Sequence, residues 1–215
     1  MPEQQPHPLG SFAALIFDCD GTLVESNELH YRAINEVARS QGLAMTREWF
    51  FAHVGCSQGE ILRRFQEEFN IVFDPRETSR LFMSAYQQGL SALKEIPAVA
   101  AIARRHRGQV PLAVVSGGAR AIVEPTLRAA DLFELFDTIV TIEDADGRGK
   151  PAPDLFLEAA RRLNAPADKC MVFEDSAEGI EAARRAGMQT TDVRTLISAI
   201  VPASAMSRCS GSRPA

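Results

Sequence analysis

Disulfide-type cysteine pairs, basic runs, histidine clusters and long apolar stretches are all missing from this sequence. The four cysteines, Cys19, Cys56, Cys170 and Cys209, are widely spaced and form no Cys-x-x-Cys pair. In a chain too large to depend on staples, that pattern predicts reduced thiols and a cytoplasmic setting. No run of Lys or Arg forms a nucleic-acid footprint, and 23 Lys+Arg against 28 Asp+Glu leave a net charge of -5, so nucleic acid is not an expected partner. No segment approaches the roughly 18 apolar residues of a membrane span. The opening MPEQQPHPLG lacks the basic-then-apolar order of a secretory signal, so no membrane partner is expected either. There is no internal repeat.

What is present fits a compact soluble enzyme. A length of 215 residues allows one sizeable core plus a smaller appended unit. With 46% hydrophobic and 24% charged residues, neither disorder nor a fibrous class is indicated. Short apolar runs at Phe12 to Phe17, Pro111 to Val115, Thr138 to Ile142 and Cys170 to Phe173 read as buried strands, with Gln189 to Val193 as a weaker fifth. Helix-period stretches alternate with them at Ala98 to Arg107, Ala119 to Ala130, Asp154 to Leu163 and Ala177 to Ala186. The alternation predicts an α/β fold, a doubly wound parallel sheet with helices on both faces. One long, almost wholly helical stretch interrupts it. The expected division is a core of residues 10–25 and 95–202, an inserted α-helical domain at 26–94 and a flexible tail at 203–215.

In a parallel sheet, residues just after each strand face one crevice. Asp18 and Asp20 follow the first strand, Ser116-Gly117-Gly118 the second, Lys150 the third, and Glu174-Asp175 the fourth. Acids so crowded repel one another unless a cation sits among them, and oxygen ligands with few histidines nearby suit magnesium better than zinc. Lys150 and a Ser-Gly-Gly turn add a fixed charge, a hydroxyl and free N–H groups, all partners for a phosphoryl group.

Four ordered motifs, Asp18-Cys19-Asp20-Gly21-Thr22, Ser116-Gly117, Lys150-Pro151-Ala152-Pro153-Asp154 and Glu174-Asp175-Ser176, are together far more specific than any one. Across about residues 12 to 194 the chain resembles the haloacid dehalogenase superfamily, in its beta-phosphoglucomutase-like and sugar phosphatase branch with a helical cap. That resemblance implies a Rossmann-like core and a magnesium-dependent phosphatase acting on small phosphorylated metabolites, sugar phosphates foremost. It implies that Asp18 attacks phosphorus to give an aspartyl-phosphate, and that Asp20 protonates the leaving oxygen and then deprotonates water. Magnesium would be held by the Asp18 carboxylate, the Asp20 carbonyl and the Glu174/Asp175 pair. Ser116, Gly117 and Lys150 would bind the phosphoryl oxygens, and Thr22 would help fix the loop.

Blander readings stand beside these. Asp-Gly is common in turns, a loop lysine is usually solvated, and one of two adjacent acids can face water. Asp154 reads as the N-cap of the next helix. Cys19, between two aspartates of an extended segment, should project to the opposite side and pack there. His30 matches a histidine that mutase-type members carry near the leaving group, or it lies at the edge of the face bearing Ile34 and Val37. His53 reads as a surface group, and Arg63 and Arg64 as a solvated helix face. A sugar phosphomutase is the alternative. The stretches Val54 to Gln58 and Ser116 to Ala119, where mutases keep a second anion site, contain no lysine or arginine, which favours hydrolysis. A monomer is expected.

Overall fold

The computed structural model describes residues 12–54 and 57–200, without the side chains of 197–200. Cys56, Cys209 and the expected tail at 203–215 lie outside the described residues. Five strands, β1 (Ala14–Asp18), β2 (Leu112–Val115), β3 (Thr138–Val140), β4 (Cys170–Glu174) and β5 (Gln189–Asp192), form one sheet in the order β3-β2-β1-β4-β5. Every pairing is parallel.

Alternation along each strand sends side chains to two apolar layers. Leu15, Phe17, Leu112, Val114 and Phe173 face α5 (Pro97–His106) and α6 (Arg120–Ala129). Ala14, Ile16, Ala113, Val115 and Val172 face α7 (Asp154–Arg162) and α8 (Ala177–Arg185). The Phe17 and Phe173 rings stack at 4.7 Å across paired strands. The expected α/β architecture is therefore present.

Among the described residues, four α-helices and a short 3-10 segment, Leu90–Ala92, lie between β1 and α5. The α-helices are α1 (Asn27–Arg39), α2 (Arg47–Phe51), α3 (Gln58–Phe69) and α4 (Pro75–Gly89). They gather their own apolar cluster of Leu29, Ile34, Val37, Phe50, Phe65 and Tyr86, which Ile122 of α6 joins. Three of them start at a capping side chain: Thr46 accepts from Trp49 N at 3.1 Å, Ser57 from Glu60 N at 3.3 Å and Asp74 from Glu77 N at 2.8 Å. The two connections to the sheet pair with each other, Glu25 N donating to Lys94 O and Ile96 N to Leu23 O at 2.9 and 2.8 Å.

Several boundaries differ from the sequence reading. β1 begins at Ala14, not Phe12. β3 ends at Val140 because Thr141 and Asp144 form a capping box that turns the chain into a short 3-10 segment, Ile142–Ala145. A helix the periodicity did not predict, α9 (Val193–Ile200), follows β5. Asp154 does not cap α7: Pro153 holds that position, and Asp154 is the first helical residue, paired with Arg148 at 2.9 Å. Among the described residues, no helix is long and apolar enough to cross a membrane.

Candidate active site

The strand order reverses around β1, so the crevice at the carboxyl ends of the strands opens over its last residue, Asp18. Phe17 is paired with Phe173, which sets Glu174, the last residue of β4, beside Asp18. Ligand oxygens of Asp18, Glu174 and Asp175 lie within 4.8 Å of one another. Lys150 Nζ donates to Asp18 Oδ1 at 2.5 Å and to Glu174 Oε2 at 2.6 Å. Sequence spacing thus brought all four to one point.

Their ionisation follows from that crowding. Burial, and then the charge of Glu174, push Asp18 well above the usual carboxylate range despite Lys150. Burial works against the Lys150 ammonium, but the charges of Asp18 and Glu174 outweigh it and hold its pKa above the ordinary lysine value. Burial and Glu174 likewise lift Asp175 to about 6. Three carboxylates around one ammonium make an under-neutralised pocket of hard oxygen donors, which suits a divalent cation such as magnesium. The donor set fits.

The segment after β1 holds the second aspartate apart from this cluster. Gly21, at φ +86°, has no room for a Cβ, which would stand 2.3 Å from Asp175 Oδ2. Asp20 points its carboxylate the other way, accepting from Ser26 Oγ at 2.5 Å and from Ser116 Oγ at 3.4 Å, with His30 Nε2 at 3.1 Å. Burial alone would raise its pKa, yet the His30 charge and the His30 and Ser26 hydrogen bonds carry it down to about 2. Thr22 Oγ1 donates to Asp175 Oδ1 at 3.3 Å. Its side chain therefore reaches an acid of the cluster from the loop after β1. Of the two glycines after Ser116, Gly117 has open space where a Cβ would be. Gly118 is the constrained one, its N–H donating to Ser116 Oγ at 3.0 Å.

Cys19 is fully buried in the apolar layer, as its position between the aspartates predicts, and burial raises its thiol pKa. Cys19 and Cys170 are both free. His53 stacks on Trp49 at 4.1 Å with its Nδ1 2.7 Å from Trp49 O. Arg63 pairs with Glu60 and Glu67, and Arg64 with Glu60, along the exposed side of α3.

Two supporting residues escaped the sequence reading. Ser26 precedes α1 at its N-cap position but makes no cap bond, because its hydroxyl is on Asp20. Gly179 leaves the space that Glu174 fills, since a Cβ there would lie 2.0 Å from Glu174 Cδ. Ser176, quoted in its motif without a role, both caps α8 through Gly179 N and donates to Glu174 Oε1 at 2.7 Å.

Comparison with known proteins agrees with this geometry. The model of the haloacid dehalogenase-like hydrolases matches residues 12–187. The chain belongs to that family. Among curated relatives of this haloacid dehalogenase-like hydrolase, it is 35% identical over 186 residues to the fructose-1-phosphate phosphatase YqaB of Escherichia coli K12, covering 86% of this chain and 98% of that one. It is 32% identical over 178 residues to the phosphorylated carbohydrates phosphatase of Thermotoga maritima, covering 82% of each. The crystal structure of CbbY from Rhodobacter sphaeroides in complex with phosphate superposes with a TM-score of 0.74 at 28% identity, over 83% of this chain and 84% of that one.

Proposed function

We propose that this hydrolase is a magnesium-dependent phosphatase of sugar phosphates in which Asp18 is the covalent nucleophile. The convergence of Asp18, Lys150, Glu174 and Asp175 at one sheet edge carries the reading, and the sugar phosphatase relatives support it. The Asp18, Glu174 and Asp175 carboxylates and the Asp20 carbonyl would hold the ion. Bound there, it would offset the charge that keeps a carboxylate away from a phosphate dianion.

An Asp18 oxygen attacks phosphorus in line with the leaving sugar oxygen, giving an aspartyl-phosphate. Lys150, the Ser116 hydroxyl and the Gly117 N–H group bind the equatorial oxygens. Asp20 donates its proton to the leaving oxygen and then takes one from the water that hydrolyses the acyl phosphate. A carboxyl held at about 2 is a poor donor at neutral pH. The arriving dianion, seated near Ser116, raises it by like-charge repulsion. The helical insertion acts as a cap at residues 26–94, moving on the paired linkers and bringing His30 to the leaving group. A substrate held under a cap of the same chain asks for no second subunit, and free buried Cys19 and Cys170 accord with a cytoplasmic monomer.

The phosphomutase alternative needs a second anion site. Arg120, the cation next to the serine turn, already contacts Asp144 at 2.5 Å and Glu124 at 3.2 Å, which weighs against rebinding a bisphosphate. Phosphate release from a panel including fructose 1-phosphate and beta-glucose 1-phosphate, with and without magnesium, tests the reading. Magnesium-dependent release is expected. Absence of release throughout would end it, and conversion of beta-glucose 1-phosphate to glucose 6-phosphate would install the mutase.

A further inference from the structure

The His30 ring that meets Asp20 is itself held from behind. It lies 4.9 Å from the Tyr86 ring and 6.0 Å from the Phe82 ring, both on α4. Tyr86 is 1% exposed, so its hydroxyl needs an internal partner. That partner is not in the insertion. The Tyr86 hydroxyl is 2.8 Å from Thr126 Oγ1 on α6, a helix of the sheet's own layer that starts just after the Ser116 turn. Thr126 donates to Ile122 O at 2.8 Å, which leaves its oxygen to accept from Tyr86. Ile122 of α6 packs into the insertion's apolar cluster at the same place.

A continuous line of contacts therefore runs from Asp20 through His30 and Tyr86 to Thr126. Packing alone needs only the ring. The hydroxyl adds a directional tie between the two layers at the depth of the acid–base aspartate, and it fixes where the Tyr86 ring can stand against His30. We propose that Tyr86, tied to Thr126, is a positioning residue that holds His30 against Asp20, so that Asp20 is aligned to protonate the leaving oxygen. This inference rests on the phosphatase reading above.

Leaving-group dependence separates the role from a merely structural one. A sugar alkoxide needs protonation to leave, whereas nitrophenolate does not, so misaligning the acid lowers kcat/KM, which reports the steps up to departure of the leaving group and not the shared hydrolysis of the aspartyl-phosphate, only for the first. Tyr86→Phe keeps the ring and leaves the Thr126 hydroxyl bonded to Ile122 O. On the sugar phosphate turned over best, we expect its kcat/KM to fall by about tenfold, and its kcat/KM on p-nitrophenyl phosphate to stay within about twofold of wild type. Thr126→Val should reproduce that split, Thr126→Ser should restore wild-type behaviour, and the double variant should be no slower than the slower single one. Equal loss on both substrates, or no loss on either, overturns the inference while the phosphatase reading stands. Should wild type release phosphate from neither substrate, the phosphatase reading falls and takes the inference with it. If Tyr86→Phe does not fold, the Thr126→Val and Thr126→Ser pair decides by the same split.

Discussion

Glu174 is fixed on three sides: Lys150 at 2.6 Å, Ser176 Oγ at 2.7 Å and the bare Cα of Gly179. Gly179→Ala would force that carboxylate out of the cluster. Partners that orient a metal ligand typically contribute 10–100-fold to affinity, so magnesium binding by the variant should weaken by about 10–100-fold in calorimetric titration. Unchanged affinity would show that Glu174 is not a ligand. At this scale the converging residues were legible because a parallel sheet carries its strand ends to one crevice: Asp18 and Glu174 end β1 and β4, Ser116 follows β2, and Lys150 reaches the same point from the longer loop after β3. Ser26 was not, since a serine ahead of a helix reads as an N-cap, and nothing in sequence says that its hydroxyl turns to Asp20 instead. Nor was the Thr22 contact with Asp175, which depends on the loops after the neighbouring strands β1 and β4 meeting.

Among the helices, capping and function separate. Asp74 accepts from Glu77 N at the start of α4, far along the chain from the carboxylate cluster. Asp74→Ala should cost about 1 kcal/mol, or roughly 2–4 °C in melting temperature for a chain of this size. Its kcat should match wild type, checked by thermal melting alongside a steady-state assay. A loss of kcat without loss of stability would tie the start of α4 to the chemistry. The sequence pattern located these elements well where apolar period and capping residue agreed, as at Asp74-Pro75. It missed α9 because Val193–Ile200 follows a strand with no intervening turn signal, and it overran β3 because Thr141 and Ile142 are as strand-like as the residues before them. Only the Thr141–Asp144 box, a contact between side chain and backbone, ends that strand.

Over the whole molecule, the acidic cluster makes stability depend on pH and metal together. Burial, and then Glu174, raise Asp175 to about 6, above its unfolded value of about 4. At Asp175 the native state therefore binds more protons than the unfolded chain across that window. Its contribution to stability is full below the unfolded pKa and is lost as pH rises through about 6. An ion among the carboxylates removes this penalty, so saturating magnesium should raise the melting temperature more at about pH 7.5 than at about pH 5. An equal or larger rise at the lower pH would contradict the assignment of the cluster as a metal site. The central claim, that Asp18 forms a bond to phosphorus, is tested most directly by acid-quenching the magnesium-loaded enzyme during turnover of its best sugar phosphate and mapping phosphate-mass adducts by peptide mass spectrometry. The account predicts an adduct on the peptide containing Asp18, absent in a folded Asp18→Asn variant whose turnover falls by at least about a thousandfold. Retention of near-normal turnover by Asp18→Asn, or an adduct on another residue, would contradict it.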